Sequence, residues 1–229
     1  MRDKILILGG TFEAAAEARR LTAAGAEVIT SLAGRLADPP SLPGRVRVGG
    51  FGGTEGLQAF IRAEAITWVI DATHPFAAVI SRHAQHACQA QGVPLVRLDR
   101  PPWAKHPGDR WHWADDAAMA ARLTPHLGRR ALLTVGAGTL GAFARAGGPF
   151  YLVRLVAPPG RLPFPHYQVV IGRGPFALAD EIALMRDFRI DLLVSKASGG
   201  QATEAKIAAA RTLKIPVLLL RRPAQGVAG

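Results

Sequence analysis

Cysteine is nearly missing from this chain of 229 residues: Cys88 stands alone, which excludes an internal disulfide and removes one sign of export. Missing too is any apolar run of the roughly 18 residues that a membrane helix requires. Met1 to Leu8 has the charged-then-apolar order of a signal peptide, but the run stops at Gly9 and Glu13 soon follows, so a first β-strand is expected instead. A cytoplasmic chain without a membrane partner is the expectation. Acidic residues are scarce, 17 against 28 basic ones, and the formal net charge of +11 favours anionic partners. The basic residues are scattered singly, with no Lys/Arg block, zinc-finger spacing or aromatic RNA-binding signature, which argues against nucleic acid. A nucleotide cofactor or a polycarboxylate substrate explains the sign, as does a composition rich in Arg, Ala and Gly.

Several catalytic signatures are absent as well. There is no G-x-S-x-G elbow and no Walker lysine. The two tyrosines are followed four places later by Leu155 and Ile171, so the Tyr-x-x-x-Lys pair of short-chain dehydrogenases is lacking. His83, His86 and Cys88 share one predicted helix, but His83 and Cys88 lie about 140° apart around it, and no metal site is expected.

What the chain does have is 49% hydrophobic residues, arranged as short Val/Ile/Leu runs alternating with Ala-rich segments of helical period. That is the pattern of parallel sheets covered by helices. Strands are expected at Lys4 to Leu8, Glu27 to Ser31, Val46 to Val48, Trp68 to Asp71 and Leu95 to Leu98, with helices from about Phe12, Glu55 and Phe76. The prolines of Arg100 to Gly108 interrupt the rhythm. Strands resume at Ala131 to Val135, Tyr151 to Val156, Gln168 to Gly172, Asp191 to Ser195 and Pro216 to Leu220, with helices around Ala114, Leu140, Leu178 and Glu204. The expected fold is α/β, two Rossmann-like parallel-sheet domains with a cleft between them: 1–99, a linker at 100–109, and 110–229.

Gly9-Gly10-Thr11 follows the first strand and opens a helix, an arrangement that points backbone N–H groups and the positive helix end at a phosphate. A ligand-free tight turn has the same sequence. The second strand ends in Thr30-Ser31-Leu32-Ala33-Gly34-Arg35, where an NAD site would place an acid. Hydroxyls and an arginine suit the extra phosphate of NADPH instead, unless Arg35 is merely a solvated loop residue. Gly49 to Gly53 let the backbone approach a flat ligand at Gly49, Gly50 and Phe51. With strand order 3-2-1-4-5, Thr11 and the Asp71-Ala72-Thr73-His74-Pro75-Phe76 stretch line one crevice, making Thr73 and His74 neighbours of the nicotinamide. His74 as a capping or core histidine is the alternative. In the second half Gly136-Ala137-Gly138-Thr139-Leu140-Gly141 matches G-x-G-x-x-G better than the first turn, and the next strand, Tyr151 to Val156, has no acid but carries Arg154, so spacing leaves a nucleotide site open there. Ser195-Lys196-Ala197-Ser198-Gly199-Gly200, followed by Thr203 and Lys206, forms a candidate carboxylate cradle. Arg173-Gly174-Pro175-Phe176 offers a cation at a corresponding strand end.

These strings together resemble the precorrin-6A reductase family, through Gly9 to Thr11, Thr30 to Arg35, Gly49 to Gly53, Asp71 to Ala77, Asp109 to Trp111, Gly174 to Phe176, Ser195 to Gly200 and Arg221 to Pro223. The resemblance implies an oxidoreductase of cobalamin biosynthesis that reduces one macrocycle double bond of precorrin-6A with NADPH as cofactor, giving precorrin-6B. A monomer is expected, its partner a polycarboxylate tetrapyrrole. Cofactor contacts then fall to Gly9, Gly10, Thr11, Ser31 to Arg35, Gly49, Gly50, Phe51, Thr73 and His74. Substrate contacts fall to Pro75, Phe76, Arg173 to Phe176, Ser195, Lys196, Ser198, Gly199, Gly200, Thr203 and Lys206. His74, Lys196 and Lys206 are candidate proton donors or orienting groups, beside bound water. A cobalt-precorrin-6A reductase and a non-catalytic NADPH sensor are the two rival readings.

Overall fold

The computed structural model describes residues 3–34, 41–145 and 149–223. They fall into two compact units, one up to Asp99 and one from Arg100. Among them no helix is long and apolar enough to cross a membrane.

The first unit follows the expected alternation: β1 (Lys4–Leu8), α1 (Phe12–Ala23), β2 (Glu27–Leu32), β3 (Arg45–Val48), α2 (Thr54–Ala63), β4 (Trp68–Asp71), α3 (Ala78–Gln91) and β5 (Leu95–Arg97). All five strands are parallel, in the order β3-β2-β1-β4-β5. Successive β1 side chains point to opposite faces, as the two-residue period of a strand demands. Leu6 and Leu8 pack with Leu57 and Ile61 of α2 and Ala84, Ala87 and Cys88 of α3. Ile5 and Ile7 pack with Ala14 and Ala18 of α1. Burial also pushes the Cys88 thiol up to about 11, so it stays protonated and apolar.

The third helix starts later than its sequence suggests. Pro75 is not its first residue; the amide N–H groups of Phe76 and Ala77 donate to Nδ1 and the carbonyl of His74, closing a turn that holds the chain out of the helix until Ala78. Gly56, inside α2, has a more demanding environment: a Cβ there would lie 1.7 Å from the Phe51 carbonyl oxygen. Helix propensity alone makes Gly→Ala favourable by about 1 kcal/mol. The overlap outweighs that, because the Gly49–Gly53 loop would have to move. Gly56→Ala is therefore expected to lower stability by about 2 kcal/mol, read by thermal melting; an unchanged or raised melting temperature would contradict this close approach.

The second unit contains β6 (Trp111–Ala114), α4 (Ala117–Leu127), β7 (Arg130–Thr134), β8 (Phe150–Leu155), β9 (Tyr167–Ile171), α5 (Leu178–Asp187), β10 (Leu192–Lys196), α6 (Ala205–Thr212) and β11 (Val217–Leu220). Its parallel sheet has the order β6-β11-β10-β7-β8-β9. From β9 inward this repeats the first unit's topology, with β7 in the place of β1 and β10 in that of β4. The additional edge strand β6 was not expected: four residues on an edge, with His112 and Trp113 exposed, carry no apolar alternation. The helix expected near Leu140 is a 3₁₀ helix, Ala137–Arg145. The glycine-rich start at Gly136, Gly138 and Gly141 is a poor α-helix former. No helix links β8 to β9 either; Leu162 and Phe164 of the proline-rich connection are buried, Phe164 at 4.9 Å from the Tyr151 ring centroid. The Pro101–Asp109 segment is tied to this unit: Gly200 N–H donates to the Pro101 carbonyl, Trp103 Nε1 donates to the Gly200 carbonyl, and Asp109 pairs with Arg211.

Candidate active site

In the first unit β1 and β4 lie side by side, Leu8 opposite Asp71, while the chain leaves them in opposite directions across the sheet. Such a switch point leaves a crevice at the carboxyl ends of the strands. Gly9 N–H donates to the Ser31 carbonyl at 2.9 Å, holding the turn against β2. Gly10 has φ +104°, and a Cβ there would meet nothing within 4 Å, so this backbone is open. Thr11 accepts from Ala14 N–H at 3.1 Å as the cap of α1 and donates its hydroxyl hydrogen to the Ala72 carbonyl at 2.7 Å. Its hydroxyl is thus spent on joining the turn to the end of β4.

That end is itself braced. Asp71, 2% exposed, accepts from Thr73 N–H at 3.1 Å, from Thr73 Oγ1 at 2.6 Å and from Arg97 Nη1 at 3.0 Å. His74 follows directly, and its Nδ1 accepts from Phe76 N–H at 3.2 Å. With Nδ1 accepting, a neutral ring has its hydrogen on Nε2. Pro75 and Phe76 belong to the same turn, the Phe76 ring centroid 5.7 Å from that of His74.

The β2 end is more mixed. Ser31 and Leu32 are buried and Ala33 and Gly34 exposed, with the Leu32 carbonyl accepting from Gly49 N–H at 2.8 Å. The Leu32 side chain is core, so only its backbone faces the loops. Arg35 lies outside the described residues. Gly49, Gly50 and Phe51 converge on a residue that motif reading passed over, Arg47, which donates to the carbonyls of Gly49 and Gly50.

In the second unit the equivalent switch point lies between β7 and β10. Several expected members of the cradle are spent on structure. Ser195 is fully buried in the strand, Ser198 N–H donates to the Lys196 carbonyl, and Thr203 Oγ1 donates to the Gly199 carbonyl at 3.0 Å. Gly199 packs so closely on Pro101 that a Cβ would sit 2.1 Å from its carbonyl oxygen. Arg173 is exposed, and Lys196 is half-buried.

Lys206 is different. It opens α6 with 8% exposure, its ammonium 5.5 Å over the Trp103 ring, and burial pushes its pKa down to about 8, Arg154 and Arg100 adding to the effect and Glu181 opposing it. Beside it Arg154 of β8 grips Glu181 of α5 in two bonds of 2.5 and 3.1 Å, with side-chain exposures of 10% and 1%. The Arg154 guanidinium also stacks at 4.2 Å on Phe176, the end of the loop after β9. Glu181 was not among the expected site residues, and Arg154 was expected only as the arginine of an acid-free strand beside a possible second nucleotide site. A charged side chain within the otherwise apolar strand Phe150–Leu155 was the available signal. Two buried cations share one carboxylate here, a balance that a bound anion improves.

The precorrin-6x reductase CbiJ/CobK family model matches residues 4–229. The chain belongs to that family. A precorrin-6A reductase from Rhodococcus erythropolis is 52% identical over 221 residues, covering 96% of this chain and 89% of its own. A solved CobK precorrin-6A reductase superposes with a TM-score of 0.94 at 43% identity, covering 97% of this chain and 89% of that one. A cobalt-precorrin-6A reductase from Salmonella typhimurium is 29% identical over 238 residues, covering 98% and 89%. Family membership makes the chain an oxidoreductase of cobalamin biosynthesis and implies a redox cofactor.

Proposed function

We propose that this chain binds NADPH in its first unit and precorrin-6A in its second, and reduces one carbon–carbon double bond of the macrocycle to give precorrin-6B. The observation that carries this reading is the open glycine turn beside His74, on a chain whose length matches a reductase family almost throughout. The residues fit the cofactor: Gly10, Gly49 and Gly50 leave open backbone, and the β2 end has hydroxyls and no acid. NADPH, when bound, supplies a hydride to one carbon of the double bond. The turn held in place by the Gly9 N–H meets its phosphates with the open backbone of Gly10 and the positive end of α1. His74 orients from its neutral Nε2–H, because Nδ1 is already an acceptor. The adjacent carbon needs one proton, and among His74, Lys196 and Lys206 the reading assigns it to Lys206, whose ammonium at about 8 gives up a proton near neutral pH. Arg154 and Arg173 attract the substrate's carboxylates. The higher identity to the precorrin-6A reductase than to its cobalt counterpart supports the metal-free substrate.

Mixing the purified protein with precorrin-6A and NADPH tests the reading. One NADPH should be consumed for each macrocycle that gains two hydrogens. Intact substrate with undiminished nicotinamide absorbance would sink it, tight NADPH binding without turnover would favour the sensor, and faster turnover of cobalt-precorrin-6A would favour the anaerobic reaction.

A further inference from the structure

Arg47 sits in β3 directly opposite Ser31 in the parallel register. Its Nη1 donates to the Gly49 carbonyl at 2.5 Å and to Ser31 Oγ at 3.3 Å, and its Nη2 donates to the Gly50 carbonyl at 2.7 Å. The guanidinium carbon lies 4.0 Å from the Phe51 ring centroid and 5.3 Å from that of Phe60. One side chain therefore joins the end of β2 to the loop after β3, both expected from the sequence to contact the cofactor. Lys4, Arg20, Arg45 and Arg97 all pair with carboxylates, whereas the partners of Arg47 among the described residues are carbonyls, a hydroxyl and rings. Of its five N–H donors, three serve these bonds; Nε–H and one Nη2–H remain.

We infer that Arg47 is a specificity residue, the fixed cation that receives the 2′-phosphate of NADPH beside Ser31; this rests on the cofactor reading above. A phosphomonoester supplies the anion that the carbonyls do not, and it matches a planar guanidinium already held in place by its other bonds. Stacking on Phe51 limits rotation of that plane, so the cation is positioned before the ligand arrives. Gly50, open on its outer side, leaves room for the adenosine to lie against the loop.

Adenosine 2′,5′-bisphosphate and adenosine 5′-monophosphate differ only in the 2′-phosphate, and calorimetry with the full chain compares them directly. Arg47→Gln keeps a donor for the carbonyls and loses the charge. It should weaken the bisphosphate about 30-fold while leaving the monophosphate within about threefold, and Arg47→Lys should restore part of the difference. In turnover, the NADPH-to-NADH ratio of KM should rise in Arg47→Gln by a similar factor, with kcat nearly unchanged. Equal weakening of both adenylates, or of neither, overturns the specificity role, melting temperature showing whether a fold defect accompanies it. If the wild-type chain prefers neither the bisphosphate nor NADPH, the cofactor reading fails and this inference with it.

Discussion

Glu181→Gln should be among the most destabilising single substitutions in this chain, lowering stability by about 3–5 kcal/mol although it changes one oxygen to nitrogen. Glu181 is 1% exposed, so water cannot take over the ionic bonds it makes to Arg154. Its charge also acts on Lys206, which is itself buried. Neutralising it leaves the Arg154 guanidinium in a low-dielectric region without its anion, and withdraws the charge that favours the Lys206 ammonium. An amide oxygen still accepts one hydrogen bond from the guanidinium but offers no charge. For a unit of this size the expected loss is roughly 10–15 °C in melting temperature. Arg154→Met added to Glu181→Gln should recover part of it, because it removes the buried cation that the first substitution left without a counter-charge. A Glu181→Gln protein melting within about 2 °C of wild type would show that the pair is solvated in solution and that the charge argument is wrong.

This pair also shows which parts of the molecule were legible in the sequence. The first unit was read nearly whole, because its strands other than β3 are short, mainly apolar runs and glycines close α1 and α3 at Gly25 and Gly92. The strand order assumed there is the observed one, and it brings Thr11 and Ala72 within 2.7 Å. In the second unit the period failed where the physics is local. β6 is an edge strand with half its residues exposed, and the 3₁₀ helix from Ala137 replaces an α-helix that the glycines disfavour. The site was harder still. Motifs mark loops and the strand and helix ends beside them, and most expected residues lay there; Arg47, Arg154 and Glu181 sit inside regular elements, where a charged residue reads as a solvated face. Only the three-dimensional arrangement tells a buried ion pair from an exposed one. Several of the expected loop residues also hold the chain together: Thr11, Thr203 and the Ser198 amide make hydrogen bonds that brace their own loops.

Lys206→Met should stabilise the protein and disable it. The Lys206 ammonium titrates at about 8 in the folded chain against 10.5 for an ordinary lysine, chiefly through desolvation. A base whose folded value is depressed costs stability wherever it is protonated in both states, here below pH 8, and the full cost is about 3 kcal/mol. Between pH 8 and 10.5 the unfolded chain binds more protons than the folded one, so wild-type stability gains from this group as pH rises; above 10.5 the penalty is gone. Methionine fills similar volume without a charge and never incurs it. At pH 7 the variant should therefore be more stable by up to about 3 kcal/mol, somewhat less after losing the contact with Trp103, and the difference should shrink steadily through pH 8 to 10.5. Turnover should move the other way. Loss of a positioned proton donor lowers kcat by about 10²–10⁴-fold with KM for NADPH unchanged, and the wild-type kcat should decline as pH rises through about 8. Melting curves of both proteins across pH 7 to 11 and a pH–rate profile decide it together. A variant less stable than wild type at pH 7 would mean that Lys206 is compensated by groups the linkage does not count. A stability gain with kcat intact would leave the burial argument standing and remove Lys206 from the chemistry, which would pass to Lys196, His74 or bound water.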